Sequence, residues 1–112
     1  MEGPLTTISR ANWTDAVVAV ATTVGNSDEL DVRNYAGGSV HVPNGSTITT
    51  LTFYALHAAG GTCVALYDAD HVAVTLTVAA NQVVELPASV FAIPFMKLVG
   101  NAAGNVSLFL KG

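Results

Sequence analysis

The chain is expected to fold as an antiparallel β-sandwich, jelly-roll-like, of about eight or nine short strands, and three observations point there. In TLTFYAL, Leu51, Phe53 and Ala55 alternate with Thr52 and Tyr54; in HVAVTLTV, Val72, Val74, Leu76 and Val78 alternate with Ala73, Thr75 and Thr77. That is the period of a strand with one buried face. Between the runs stand AAGGT and DADH, which carry the Gly and Asp that tight reversals need. Candidate strands also recur at short spacing, the pattern of a sandwich or barrel. Spacing leaves the topology open, so a Greek-key sandwich of the immunoglobulin kind is the competing arrangement.

Taken in order, residues 1–14 read as an N-terminal arm and residues 15–112 as the β-sandwich domain. Gly3 and Pro4 open a largely polar stretch whose only large aromatic is Trp13. Such a residue either anchors a contact with a neighbour or folds back over its own domain. DAVVAVATTV is rich in β-branched residues, with Val18, Val20 and Val24 on one parity, and reads as a strand over 15–24. ELDVRNY and SVHV follow, parted by Gly37 and Gly38 as a bend or bulge. Pro43, Asn44 and Gly45 turn the chain into a long strand over 47–56. TCVALY, HVAVTLTV and NQVVEL supply further strands. PASVFAIP, bracketed by Pro87 and Pro94, suits a short helical turn or an apolar crossover better than a central strand. FMKLVG and NVSLFLKG are expected to form a terminal hairpin across NAAG.

Composition narrows the function. Of 112 residues, 51% are hydrophobic and 11% charged, against an ordinary charged share of about 25%. A small domain so poor in charge presents neutral Thr, Ser, Asn, Gly and Ala to its surroundings, a surface weakly defended against association. A homo-oligomer or a place in a larger assembly is therefore expected. The net charge is −4, and the four cations, Arg10, Arg33, Lys97 and Lys111, are scattered. That spread is no phosphate-tracking stripe, so no nucleic-acid partner is expected. Residues 1–15 lack the basic and apolar regions of a secretory signal, and the apolar run over 16–21 is too short to span a bilayer. No membrane association is expected. Cys63 stands alone, which excludes an intramolecular disulfide and fits a small core or sheet-face residue.

No catalytic constellation is recognisable, so the chain is not expected to be an enzyme or to need a cofactor. His41, His57 and His71 match no zinc spacing and read as solvated or interface residues. Asp28, Glu29 and Asp31 form one acidic cluster, and Asp68 with Asp70 a second. Neither follows the twelve-residue calcium loop, and Asp in a tight reversal is explained by its bonds to nearby backbone N–H groups. A carboxylate pair for glycoside hydrolysis would need a raised pKa, which exposed turns do not provide. There is no GxSxG, phosphate-cradling Gly loop or Cys–His signature. Asn12, Asn44 and Asn105 each open an Asn-X-Ser/Thr triplet, which has meaning only for a secreted chain.

The segments ELDVRNYAGGSVHVPNGSTITTLTFY, GTCVALYDADHVAVTLTV and KLVGNAAGNVSLFLKG resemble small virion proteins of tailed bacteriophages, especially capsid decoration (cement) proteins. The resemblance runs from Glu29 to Gly112 with gaps and rests on turn and strand patterns. It implies a β-rich virion protein, made in the host cytoplasm, that sits on the capsid surface and bridges major capsid subunits, often as a homotrimer. On that reading Arg10 and Trp13 dock on the shell, and Tyr54 and Tyr67 make capsid or subunit contacts. The rival is a carbohydrate- or receptor-binding β-sandwich module of a phage fibre or tail, for which Tyr35, Tyr54 and Tyr67 are the exposed-aromatic candidates. Parity with Phe53 and Leu66 puts Tyr54 and Tyr67 on one non-core face.

Overall fold

The computed structural model describes residues 13–112, and of Trp13 the backbone. Among these residues nine strands form two antiparallel sheets that face each other across one core. They are β1 (Trp13–Val20), β2 (Glu29–Asp31), β3 (Gly37–Val42), β4 (Thr50–Leu56), β5 (Val64–Ala65), β6 (Thr75–Thr77), β7 (Gln82–Glu85), β8 (Phe95–Gly100) and β9 (Gly104–Lys111). The first sheet runs β1-β9-β3-β7; the second runs β2-β8-β4-β5, with β6 also on β4. β5 and β6 occupy successive parts of the same β4 edge, through Tyr54 with Ala65 and Leu51 with Leu76. Counted as one position, they turn the sheets into the two four-stranded layers of a jelly roll.

Alternation along each strand builds the core. Val18, Val20, Val40, Val42, Val106 and Leu108 point inward from the first sheet; Leu51, Phe53, Met96 and Leu98 meet them from the second. Each such side chain contributes roughly 1.5–3 kcal/mol when fully buried. Loop residues Val32, Ile48, Val78 and Val90 close the ends of the sandwich. Ser27 is the one polar residue buried among those described; its hydroxyl accepts from Ala21 N–H at 3.1 Å and donates to the Thr23 carbonyl at 3.3 Å.

Several elements differ from the sequence expectation. FMKLVG and NVSLFLKG are both strands, β8 and β9, but they do not pair with each other. β8 pairs with β2 and β4, β9 with β1 and β3, so NAAG carries the chain from one sheet to the other. Gly37 and Gly38 are the first residues of β3, not a bend before it. Gly38 permits a close approach, since a Cβ there would collide with the Phe109 carbonyl oxygen and lie 2.9 Å from Leu110 Cδ2. HVAVTLTV is not one straight strand: Val74 and Val78 are buried, whereas Val72 is 58% exposed at a hairpin tip. The strand expected over 15–24 ends at Val20, and Val24 opens a 3-10 turn, Val24–Asn26. At the front, β1 begins at Trp13, so Trp13 and Thr14 are already paired, with Lys111 and Leu110. PASVFAIP does form a short helical turn, Ala88–Ala92, with Val90 buried.

Candidate functional site

Of the three tyrosines singled out by sequence, Tyr54 lies on the second sheet, Tyr67 in the hairpin that follows β5, and Tyr35 in the loop between β2 and β3. Tyr54 lies between the core residue Phe53 and the half-buried Ala55, so it stands on the outer face of β4, half-buried, opposite Lys97 on one side and Ala65 on the other. Tyr67, two residues beyond Ala65, falls on the same face by the pleat and is 56% exposed. It lies in a hairpin over residues 66–74 whose stems are tied to the sheet: Leu66 N–H donates to the Phe53 carbonyl at 3.0 Å, and Phe53 N–H to the Val74 carbonyl at 3.2 Å. At the tip, Asp68 N–H donates to the Val72 carbonyl and His71 N–H to the Asp68 carbonyl. His71, at φ 62°, takes the left-handed position that closes a three-residue loop. Tyr67 and Val72 thus flank a projecting turn. Arg10 and the Trp13 side chain lie outside what the structure describes. Tyr35 is half-buried and packs against the core.

The acidic residues serve the backbone. Asp28 Oδ2 accepts from Ala19 N–H at 2.9 Å, and both Glu29 oxygens accept from Gly60 N–H at 3.0 and 3.2 Å. Asp68 Oδ1 accepts from the N–H groups of Asp70 and Val72. Asp31 makes a two-pronged bond to Arg33, with Nε at 3.0 Å and Nη2 at 2.8 Å. The guanidinium also lies 4.9 Å from the centre of the Phe95 ring. Hydrogen bonding by the Arg33 side chain, then by its backbone N–H, lowers the Asp31 pKa to about 2.

The histidines occupy separate elements. His41 is on the outer face of β3, His57 follows β4, and His71 is in the turn. Among the described residues, no group of three or more His, Cys, Asp or Glu side chains could hold a metal ion. No helix among them is long and apolar enough to cross a membrane.

The exposed apolar surface that sequence reasoning missed is on the first sheet. The registers set Val17 beside Ser107, Ser107 beside His41, and His41 beside Val83, one row across the outer face. Val17 is 70% exposed and Val83 61%. The next row carries Asp15, Phe109, Ser39 and Glu85. Where Gly37 has no side chain, a cavity of about 250 Å³ opens between Ser39, Glu85, Phe109 and Lys111. On the second sheet a cleft of about 220 Å³ is lined by Ala55, Leu56, Val64, Ile93 and Pro94 together with His57 and Thr62. The signal for the first surface was present in DAVVAVATTV: valines on both parities, 17 and 18, do not fit a strand with one apolar face. For the second there was none, because Leu56 sits on the solvent parity of β4 and is nonetheless buried.

No protein-family model matches the chain, and no curated protein sequence matches it. Among solved structures it is similar to the SPBc2 prophage-derived protein YomS, with a TM-score of 0.52 and 14% sequence identity; the likeness covers 95% of this chain and 100% of that one. At that identity the two share a fold, and they share it over nearly their whole lengths.

Proposed function

We propose that this chain is a structural protein of a phage particle, a jelly-roll module that acts by binding protein and carries out no chemistry of its own. Capsid decoration, in which it bridges neighbouring major capsid subunits from the outer surface, is the role that fits best. The observation that supports this reading is the whole-length likeness in fold to a prophage-derived protein. The chemistry of the surface agrees with it. Asp28, Glu29, Asp31 and Asp68 are engaged in holding backbone or pairing with Arg33, while both sheets expose neutral and apolar side chains. Arg10 and Trp13 from the chain's beginning, and Tyr54 and Tyr67 on the second sheet, are the contact residues of this proposal.

Co-sedimentation with empty capsids assembled from the major capsid protein of the same phage tests the role. The wild-type protein should pellet with shells, and a variant lacking residues 1–12 and carrying Trp13→Ala, which keeps the β1 backbone whole, should stay in the supernatant while still melting cooperatively. Failure of the wild type to bind shells refutes decoration; binding by the truncated form refutes docking through the arm. A second reading, a glycan- or receptor-binding module of a fibre or tail, is favoured by one observation: Tyr67 is exposed beside a projecting turn and shares its sheet face with Tyr54. Binding to a host-surface glycan array, lost in Tyr67→Ala, would put that reading first.

A further inference from the structure

The Asn44-Gly45-Ser46 triplet lies in the turn that joins β3 to the segment leading into β4. Ser46 N–H donates to the Pro43 carbonyl at 3.2 Å, so Asn44 and Gly45 are the two central residues of a β-turn. Gly45 has φ 85°, the left-handed value that glycine takes without strain at the second of those positions. Both residues are exposed, and a Cβ built on Gly45 would meet nothing within 4 Å. Among the described residues, neither the Asn44 side-chain amide nor the Gly45 N–H has a hydrogen-bond partner.

Asparagine is a thermolabile residue because its side-chain amide is open to attack by the backbone nitrogen of the residue that follows. Two things hinder the attack: a side chain on that next residue, and hydrogen bonds that hold either group in place. Glycine removes the first hindrance here, and the turn removes the second. The other asparagines between residues 13 and 112 are all followed by a residue with a side chain, namely Ser27, Tyr35, Gln82, Ala102 and Val106. Some are also held. Asn26 Nδ2 donates to Thr23 Oγ1 at 3.1 Å, and Asn101 Oδ1 accepts from the N–H groups of Thr49 and Thr50 at 2.8 and 3.1 Å. The nitrogens after Asn26 and Asn34 are engaged as well, Ser27 N–H with the Val24 carbonyl at 3.4 Å and Tyr35 N–H with the Val32 carbonyl at 3.2 Å.

We propose that Asn44 is a modification site, deamidating spontaneously in the folded protein to a mixture of aspartate and isoaspartate. The Gly45 nitrogen gives up its proton and bonds to Asn44 Cγ; the Cγ–Nδ2 bond breaks, and Nδ2 leaves with that proton as ammonia. Water then opens the resulting succinimide. Cleavage between the Gly45 nitrogen and Cγ yields aspartate, and cleavage between that nitrogen and the Asn44 main-chain carbonyl carbon yields isoaspartate, whose main chain runs through the former side chain. Nothing is oxidised or reduced, and water is the only co-reactant. Either product adds a negative charge to a chain whose net charge is already −4. Isoaspartate also lengthens the main chain just ahead of Ile48, which is fully buried and whose N–H donates to Ser46 Oγ at 3.2 Å. The reaction needs no partner and stands apart from capsid binding.

Peptide mapping by fragmentation mass spectrometry tests it, on the folded full-length protein held at mildly alkaline pH and sampled over time, with the same protein in urea as the unfolded reference. Position 44 should show the mass gain of exchanging NH2 for OH at least tenfold faster than any other asparagine between residues 13 and 112. Its rate in the folded protein should stay within tenfold of its rate in urea, because the turn offers no protection. Isoaspartyl methyltransferase should label the same peptide, and Asn44→Gln, whose longer side chain would have to close a larger ring, should lose both signals. The proposal is overturned if position 44 converts more than tenfold more slowly folded than in urea. It is equally overturned if another asparagine in that range comes within tenfold of it, or if methyl labelling of that peptide persists in Asn44→Gln.

Discussion

Gly100 ends β8 where the chain leaves one sheet for the other, and Gly100→Ala examines how tightly that corner is packed. The residue is buried, pairs with Leu51, and donates its N–H to the Ala21 carbonyl at 2.9 Å. A Cβ at this position would meet the Ala102 carbonyl oxygen at 2.7 Å and Val20 Cγ1 at 2.9 Å, where ordinary contact begins at 3.4 Å. The corner would have to open by about 0.5–0.7 Å, against backbone on one side and a core valine on the other. Overpacking of this kind costs roughly 1–3 kcal/mol. Replacing Gly by Ala returns about 0.4–1 kcal/mol by restricting the unfolded chain. The net loss is about 1–2 kcal/mol, and with an unfolding entropy of about 0.24 kcal/mol/K for a chain of this length it lowers Tm by about 4–8 °C. Two alanine variants serve as controls in the same thermal melts. Gly104→Ala meets only the flexible end of Ile48, at 3.3 Å, and Gly25→Ala meets nothing within 4 Å. The expected order of Tm is Gly25→Ala highest, then Gly104→Ala, then Gly100→Ala. A Gly100→Ala protein that melts with or above Gly25→Ala would refute the packing argument.

Three further outcomes are expected. Phe53→Ala empties the centre of the sandwich, where the ring is fully buried, and should cost about 3–5 kcal/mol in denaturant unfolding; a loss below 1 kcal/mol would contradict the core described. Asp31 should titrate near 2 by carboxyl NMR, and Arg33→Gln should return it towards 3.8. Because the folded pKa lies below the unfolded one, what the pair adds to stability is complete above the ordinary value and is lost as pH falls towards 2. His71→Gly removes a side chain from a left-handed position and should raise stability by up to about 1 kcal/mol, whereas Asp68→Ala, which strips the turn of its acceptor for two N–H groups, should lower it.

The candidate contact residues were legible in part. Tyr54 and Tyr67 fall on one outer face because strand parity alone assigns a face, and parity survives the break between β5 and β6. Val72 was misassigned by the same rule: the hairpin lifts away from the sheet at Tyr67, so a position that would be core in a straight strand ends at a tip. That β1 stands at the end of its sheet among the described strands was not legible, because it depends on which strand stands next to β1. Nothing local encodes that.

What the sequence by itself determined is the class of the fold and the inward face of most strands. Period-two alternation and Gly, Asn and Asp at reversals are local properties that hold for any pairing of those strands. What only the tertiary structure decided is which strands are neighbours. β8 and β9 are adjacent in sequence yet lie in opposite sheets, because a jelly roll buries both apolar faces by sending successive segments across the core. That same crossing puts β1 at an edge, buries Leu56 on a parity that reads as solvent, and sets Gly38 against the Phe109 carbonyl. These are long-range contacts, and each one needs its partner in place before the residue's role exists.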